Sequence, residues 1–118
     1  MLSIVDHQRK WLKEMIREKI TEDVVGAGIK YLYGKTFENV YCMMDEIYGV
    51  INTSSDPYID PAVHAILEKY NYYISPTGHY IYGTGPRFWL IKNPDIDTQV
   101  GAGFFFYYFL ANLVINYY

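Results

Sequence analysis

The sequence predicts an α+β domain, with three or four N-terminal helices packed on a C-terminal antiparallel sheet of three to five strands. Two observations carry that expectation. Apolar residues recur at helical spacing up to about residue 71, and from Tyr72 onward short aromatic runs alternate with Gly- and Pro-containing turns. Helices first and strands second is the order of an α+β architecture. With 118 residues, one core is expected, so 1–118 reads as a single domain, mainly helical over 1–71 and mainly strand over 72–118.

Ser3 is placed to cap the first helix, with Asp6 three residues on in the manner of a capping box. Ile4, Val5, Trp11, Leu12, Met15, Ile16 and Ile20 then form one apolar stripe. Thr21 reads as the cap of a second helix, with Glu22 and Asp23 in its first turn and Gly34 as its stop. A third helix is expected from about Phe37, burying Val40, Tyr41, Met44, Ile47, Tyr48 and Ile51 and leaving Glu38, Asp45 and Glu46 to solvent. Asn52 to Pro57 reads as loop. Asp60-Pro61 starts a short fourth helix, with Asp at the cap and Pro at the first helical position.

Tyr72 to Ser75 and His79 to Tyr82 read as a hairpin around Pro76-Thr77-Gly78. Gly83 to Pro86 forms a turn, and Arg87 to Ile91 a third strand. Val100 to Tyr118 holds no charged residue. Periodicity leaves strand, buried helix and membrane helix open there; its β-branched and aromatic content favours strand. The N-terminus lacks the basic-then-apolar order of an export signal, which points to a cytoplasmic, intracellular protein.

Charge excludes one function class. Ten basic residues against thirteen acidic ones give a net charge of −3, which disfavours a general nucleic-acid binder. The acids cluster: Glu38, Asp45, Glu46, Asp56, Asp60 and Glu68 occupy 36–68 without a single Lys or Arg. The lone cysteine, Cys42, lies in an apolar run and is expected to be buried and inert.

No motif names a reaction, and no catalytic residue, cofactor or metal is assigned. His7, His64 and His79 lack triad-like surroundings. Asp60, His64 and Glu68 share one helical face, yet a single helix rarely completes a metal site. Three Gly-x-Gly triplets, at Gly26, Gly83 and Gly101, miss the spacing of a phosphate-binding loop and read as turns.

Aromatic residues carry the most information, because fifteen of the twenty-two lie from Tyr70 onward. That is more amphipathic surface than so small a core is expected to hide, and Tyr is enriched at protein interfaces. The expected function is therefore a non-enzymatic protein-binding module, a small accessory or inhibitor protein. It would form a homo-oligomer through Phe105, Tyr107, Phe109 and Tyr117, and present Glu38, Asp45 and Glu46 to a partner protein with a basic surface. The alternatives are binding of a nucleotide-like small molecule by His79, Tyr80, Tyr82, Arg87 and Trp89, and a C-terminal membrane anchor.

Overall fold

A computed structural model describes residues 3–27 and 34–87. Over these the protein is α+β, with three helices followed by a two-stranded antiparallel sheet. The first helix, α1 (Ile4–Ala27), begins as its sequence dictates. The Ser3 hydroxyl accepts from the Asp6 amide at 3.1 Å while an Asp6 carboxylate oxygen accepts from the Ser3 amide at 3.2 Å. Two amide groups at the helix start are thereby satisfied reciprocally. The Ser3 hydroxyl also donates to Asp6 Oδ2 at 2.9 Å, and this bond, followed by that of the Ser3 amide, holds the Asp6 carboxyl below its usual range.

Beyond that start, α1 departs from expectation. It is one continuous helix, and Thr21 lies inside it. The Thr21 hydroxyl donates to the Arg17 carbonyl at 2.8 Å, so it bonds back along the helix and caps nothing. Leu12, Ile16, Ile20 and Val24 follow one another at four-residue intervals and are all essentially fully buried. That unbroken stripe outweighs the local cap signal. Ile4 and Trp11, assigned to the same stripe from sequence, are instead 78% and 54% exposed.

Helix α2 (Gly34–Thr53) starts at the glycine expected to end its predecessor. Glycine is tolerated at either end of a helix, so its presence marks a boundary without giving its direction. The helix buries Val40, Met43, Met44, Ile47, Tyr48 and Ile51. Cys42 is exposed rather than buried. With its neighbours Met43 and Met44 turned inward at a period of 3.6, Cys42 falls on the outer face with Glu38 and Asp45. Asn52 and Thr53, expected in a loop, complete the last helical turn.

The α2–α3 junction is held by Ser54, which is buried. Its carbonyl accepts two hydrogen bonds from the Arg9 guanidinium, from Nε at 2.9 Å and from Nη2 at 2.7 Å. Its hydroxyl donates to Asp60 Oδ2 at 2.6 Å. The other Asp60 oxygen accepts from the Ala62 amide at 2.9 Å and caps α3 (Pro61–Lys69), where Pro61 is the first helical residue. This helix inserts Val63 and Leu67 into the core. It ends at Lys69 with Tyr70 as cap, and Asn71 follows with a φ of 59°, donating its amide to the Glu68 carbonyl at 2.9 Å. Asn tolerates this left-handed conformation better than most residues.

Asn71 leads directly into β1 (Tyr72–Ile74), which pairs with β2 (Ile81–Gly83) in the register Tyr72–Gly83, Tyr73–Tyr82, Ile74–Ile81. The connecting loop is organised by Ser75, whose hydroxyl accepts from the amides of His79 at 3.1 Å and Tyr80 at 3.2 Å. One sheet face places Tyr72 and Ile81 in the core; the Tyr72 hydroxyl donates to Asp23 Oδ2 at 2.7 Å. Gly83 belongs to β2 rather than to a turn. Its φ is +124°, and a Cβ there would lie 2.0 Å from the Asn71 carbonyl oxygen. Of the expected third strand, Arg87 is described and exposed; Phe88 to Ile91 and the 100–118 segment lie outside the described residues.

Two outcomes follow for stability. Gly83→Ala combines an unfavourable φ with a backbone clash and is expected to destabilise the fold by about 3 kcal/mol. Gly49→Ala, at an exposed helical site where the new methyl meets no described atom within 4 Å beyond its chain neighbours and the helix's own backbone, is expected to stabilise by about 0.5–1 kcal/mol. Urea denaturation of both variants checks the pair, and equal effects would contradict it.

The Ser54 hydrogen bond, followed by the Ala62 amide, holds the Asp60 carboxyl below its usual value of 3.8. A depressed carboxyl stabilises the fold above its unfolded pKa, and that contribution is lost as pH falls through the folded one. Ser54→Ala is therefore expected to cost stability at pH 7 and to shrink the loss seen on acidification below about pH 4. Urea midpoints measured across pH for both proteins test this. A gap between them that stays constant into acid would refute the assignment.

Candidate functional site

The outer face of the β1–β2 hairpin is built by strand alternation. Tyr72 and Ile81 point into the core, so Tyr73, Tyr82 and Tyr80, two residues before Tyr82, point away from it. They are 39%, 46% and 56% exposed. Tyr73 and Tyr82 are directly opposite in the register and stack, with ring centroids 5.4 Å apart and planes at 29°. Tyr80 meets Tyr82 at 6.1 Å in a tilted arrangement. The three rings form one contiguous aromatic surface.

Glu38 and Asp45 lie on the exposed outer face of α2. Glu46 sits to the side and is engaged: Lys69 donates to it at 2.8 Å, and the Tyr70 hydroxyl donates to its other oxygen. The Lys69 hydrogen bond, then that of Tyr70, holds the Glu46 carboxyl below its usual value. Burial chiefly, and then the Glu46 bond, pushes the Tyr70 hydroxyl up. Glu46 therefore joins α2 to α3 and presents less free charge than the sequence implied.

Of the expected small-molecule constellation, Tyr80 and Tyr82 are in ring contact. Tyr80 and Tyr82 lie on the aromatic face, Arg87 is exposed beyond β2, and Trp89 lies outside the described residues. His79 contributes to a different feature, an open groove of about 830 Å³ between α1, the α2–α3 connection and the hairpin loop. Gln8 and Trp11 line it from α1, Tyr58 and His64 from the α2–α3 region, and Thr77 and His79 from the loop. Trp11 is backed by His7, with ring centroids 5.7 Å apart and planes at 28°. The His64 Nε2–H donates to the Tyr58 carbonyl at 2.6 Å, because a carbonyl can only accept. Burial pushes the Tyr58 hydroxyl above its usual pKa.

Sequence reasoning missed this groove, since its lining comes from three segments far apart in the chain. One local signal existed. Leu12, Ile16, Ile20 and Val24 fix the buried register of α1, which turns Trp11 away from the core onto the same side as His7.

Asp60, His64 and Glu68 do not converge. Asp60 is committed to Ser54 and Ala62, and His64 to the Tyr58 carbonyl. Among the described residues no group of three His, Cys, Asp or Glu side chains is placed to hold a metal. Phe105, Tyr107, Phe109 and Tyr117, expected at an oligomer interface, lie outside the described residues. Among the described residues no helix is long and apolar enough to cross a membrane. No protein-family model, curated protein or solved structure matches the chain.

Proposed function

We propose that this protein is a non-enzymatic protein-binding module that self-associates through its tyrosine-rich end. The exposed Tyr73–Tyr82–Tyr80 surface is the observation that supports this reading most directly. Tyrosine rings bring large contact area at low conformational-entropy cost, and three in contact form the kind of centre that dominates an interface. A second copy presenting the same face makes a closed, two-fold pairing, the commonest oligomer symmetry.

On sequence grounds, Phe105, Tyr107, Phe109 and Tyr117 extend this interface, and the sheet is proposed to continue to three to five strands. The face of α2 that carries Glu38, Asp45 and Glu46 is proposed to meet a basic partner protein; Lys69 also engages Glu46. A single cysteine, which cannot form an intramolecular disulfide, supports a reducing, cytoplasmic setting.

Sedimentation velocity of the full chain tests the association. The wild type is expected to sediment as a dimer or larger defined species. Replacing Tyr73, Tyr80 and Tyr82 together by Thr, which keeps strand propensity, is expected to shift it to monomer. A monomeric wild type, or a triple variant that associates as tightly, would overturn the proposal.

A further inference from the structure

The groove beside Trp11 has a chemistry unlike the rest of the chain. In a protein whose net charge is −3, its described lining contains no carboxylate, ammonium or guanidinium group. The only groups of that lining able to carry charge near neutral pH are the His64 and His79 imidazoles. It offers instead the Trp11 indole, 54% exposed, with His7 stacked on it. The same groove is lined by side chains able both to donate and to accept hydrogen bonds: the Gln8 amide, the Thr77 hydroxyl and the His79 imidazole. Neither Gln8 nor the His79 ring has a hydrogen-bond partner among the described residues. Among the described residues the Thr77 hydroxyl shares one bond, with the Ser75 hydroxyl at 3.2 Å.

We propose that this groove binds a neutral saccharide, stacking the C–H face of a pyranose ring on Trp11 and hydrogen-bonding its hydroxyls to Gln8, Thr77 and His79. The match is one of chemistry. The axial C–H groups of a pyranose carry partial positive charge and complement the negative face of an indole. Its hydroxyls, like the three polar side chains, each donate and accept. A proline-rich peptide shares the apolar component, but its carbonyls only accept and use half of what Gln8, Thr77 and His79 provide. The volume of about 830 Å³ lies within the range of small-ligand sites and the groove is open, so it accommodates a short oligosaccharide. His7 fixes the indole plane in advance, which reduces the ordering cost of stacking.

The test is a set of ¹H–¹⁵N correlation spectra of the full chain. It is titrated with glucose, galactose, mannose, N-acetylglucosamine and their short oligomers, alongside a sulfated disaccharide and a proline-rich peptide. A neutral sugar is expected to cause saturable shifts at the Trp11 indole N–H. Trp11→Ala should weaken that binding by about tenfold or more. Gln8→Ala and His79→Ala should each weaken it several-fold, Trp11→Phe should retain most of it, and Glu22→Gln, at an exposed α1 position outside the groove, should leave it unchanged. Because Trp11 is half exposed, Trp11→Ala is expected to keep the fold, which the same spectra verify. Absence of saturable shifts up to about 10 mM sugar would overturn the proposal. So would undiminished binding by Trp11→Ala, or tighter binding of the sulfated sugar or the peptide.

Discussion

The buried stripe of α1 is the constraint on which the other elements depend. Leu12, Ile16, Ile20 and Val24 lie along one edge of a single helix, and each contributes about 1.5–3 kcal/mol by leaving water. Packed on them are Val40, Met43, Met44, Ile47 and Ile51 of α2, Val63 and Leu67 of α3, and Tyr72 and Ile81 of the hairpin. Because α1 is unbroken, its two ends reach different parts of the fold. Arg9 and Asp23 are about 21 Å apart along the axis at 1.5 Å per residue. Arg9 grips the Ser54 carbonyl at the end of α2, and Asp23 accepts the Tyr72 hydroxyl of β1. A helix broken at Thr21 would leave Asp23 free to rotate away from β1, and the hairpin would lose its polar tether.

Those polar contacts set geometry rather than supply most of the stability. Arg9 places positive charge at the C-terminal end of α2, where the last carbonyls want it, and both its Nε and Nη2 converge on one carbonyl oxygen. Ser54 passes that restraint on to Asp60 and so to the start of α3. The direction in which α3 leaves the junction then decides where Asn71, and hence β1, begins. Gly83 is the closing member of this chain of restraints, since only a residue without a Cβ lets β2 lie against the Asn71 carbonyl. The pairing register of the hairpin, and with it the separation of Tyr72 from Tyr73, is fixed by these close approaches.

The parts of the fold legible in the sequence are those whose signals are local. Ser3 with Asp6 and Asp60 with Pro61 each combine two residues in an order that makes sense only at a helix start, and both are found there. The signals that misled were single residues with two physical uses. Thr21 caps a helix or bonds back within one, and Gly34 stops a helix or starts one. Cys42 was misplaced because five consecutive apolar residues cannot all face inward on a helix, and only the burial of Met43 and Met44 settles which one turns out. The groove was invisible because Trp11, Tyr58 and His79 belong to three segments that tertiary contacts alone bring together.

The excess of tyrosine acquires a physical meaning once the hairpin register is known. Tyr72 and Tyr73 are neighbours with opposite fates: one is buried with its hydroxyl on Asp23, the other stacks on Tyr82 at the surface. A surface built from Tyr rather than Leu or Ile keeps hydroxyls in water while exposing ring faces, so it tolerates solvent and still releases apolar area when covered. Trp11 adopts a comparable compromise at the groove, backed by His7 and open on its remaining side. Both features place aromatic faces at the surface without a formal charge among them, whereas the described outer face of α2 carries Glu38 and Asp45. The division is chemical: a ligand or partner recognised through ring faces and hydroxyls meets the hairpin side, and one recognised through charge meets α2.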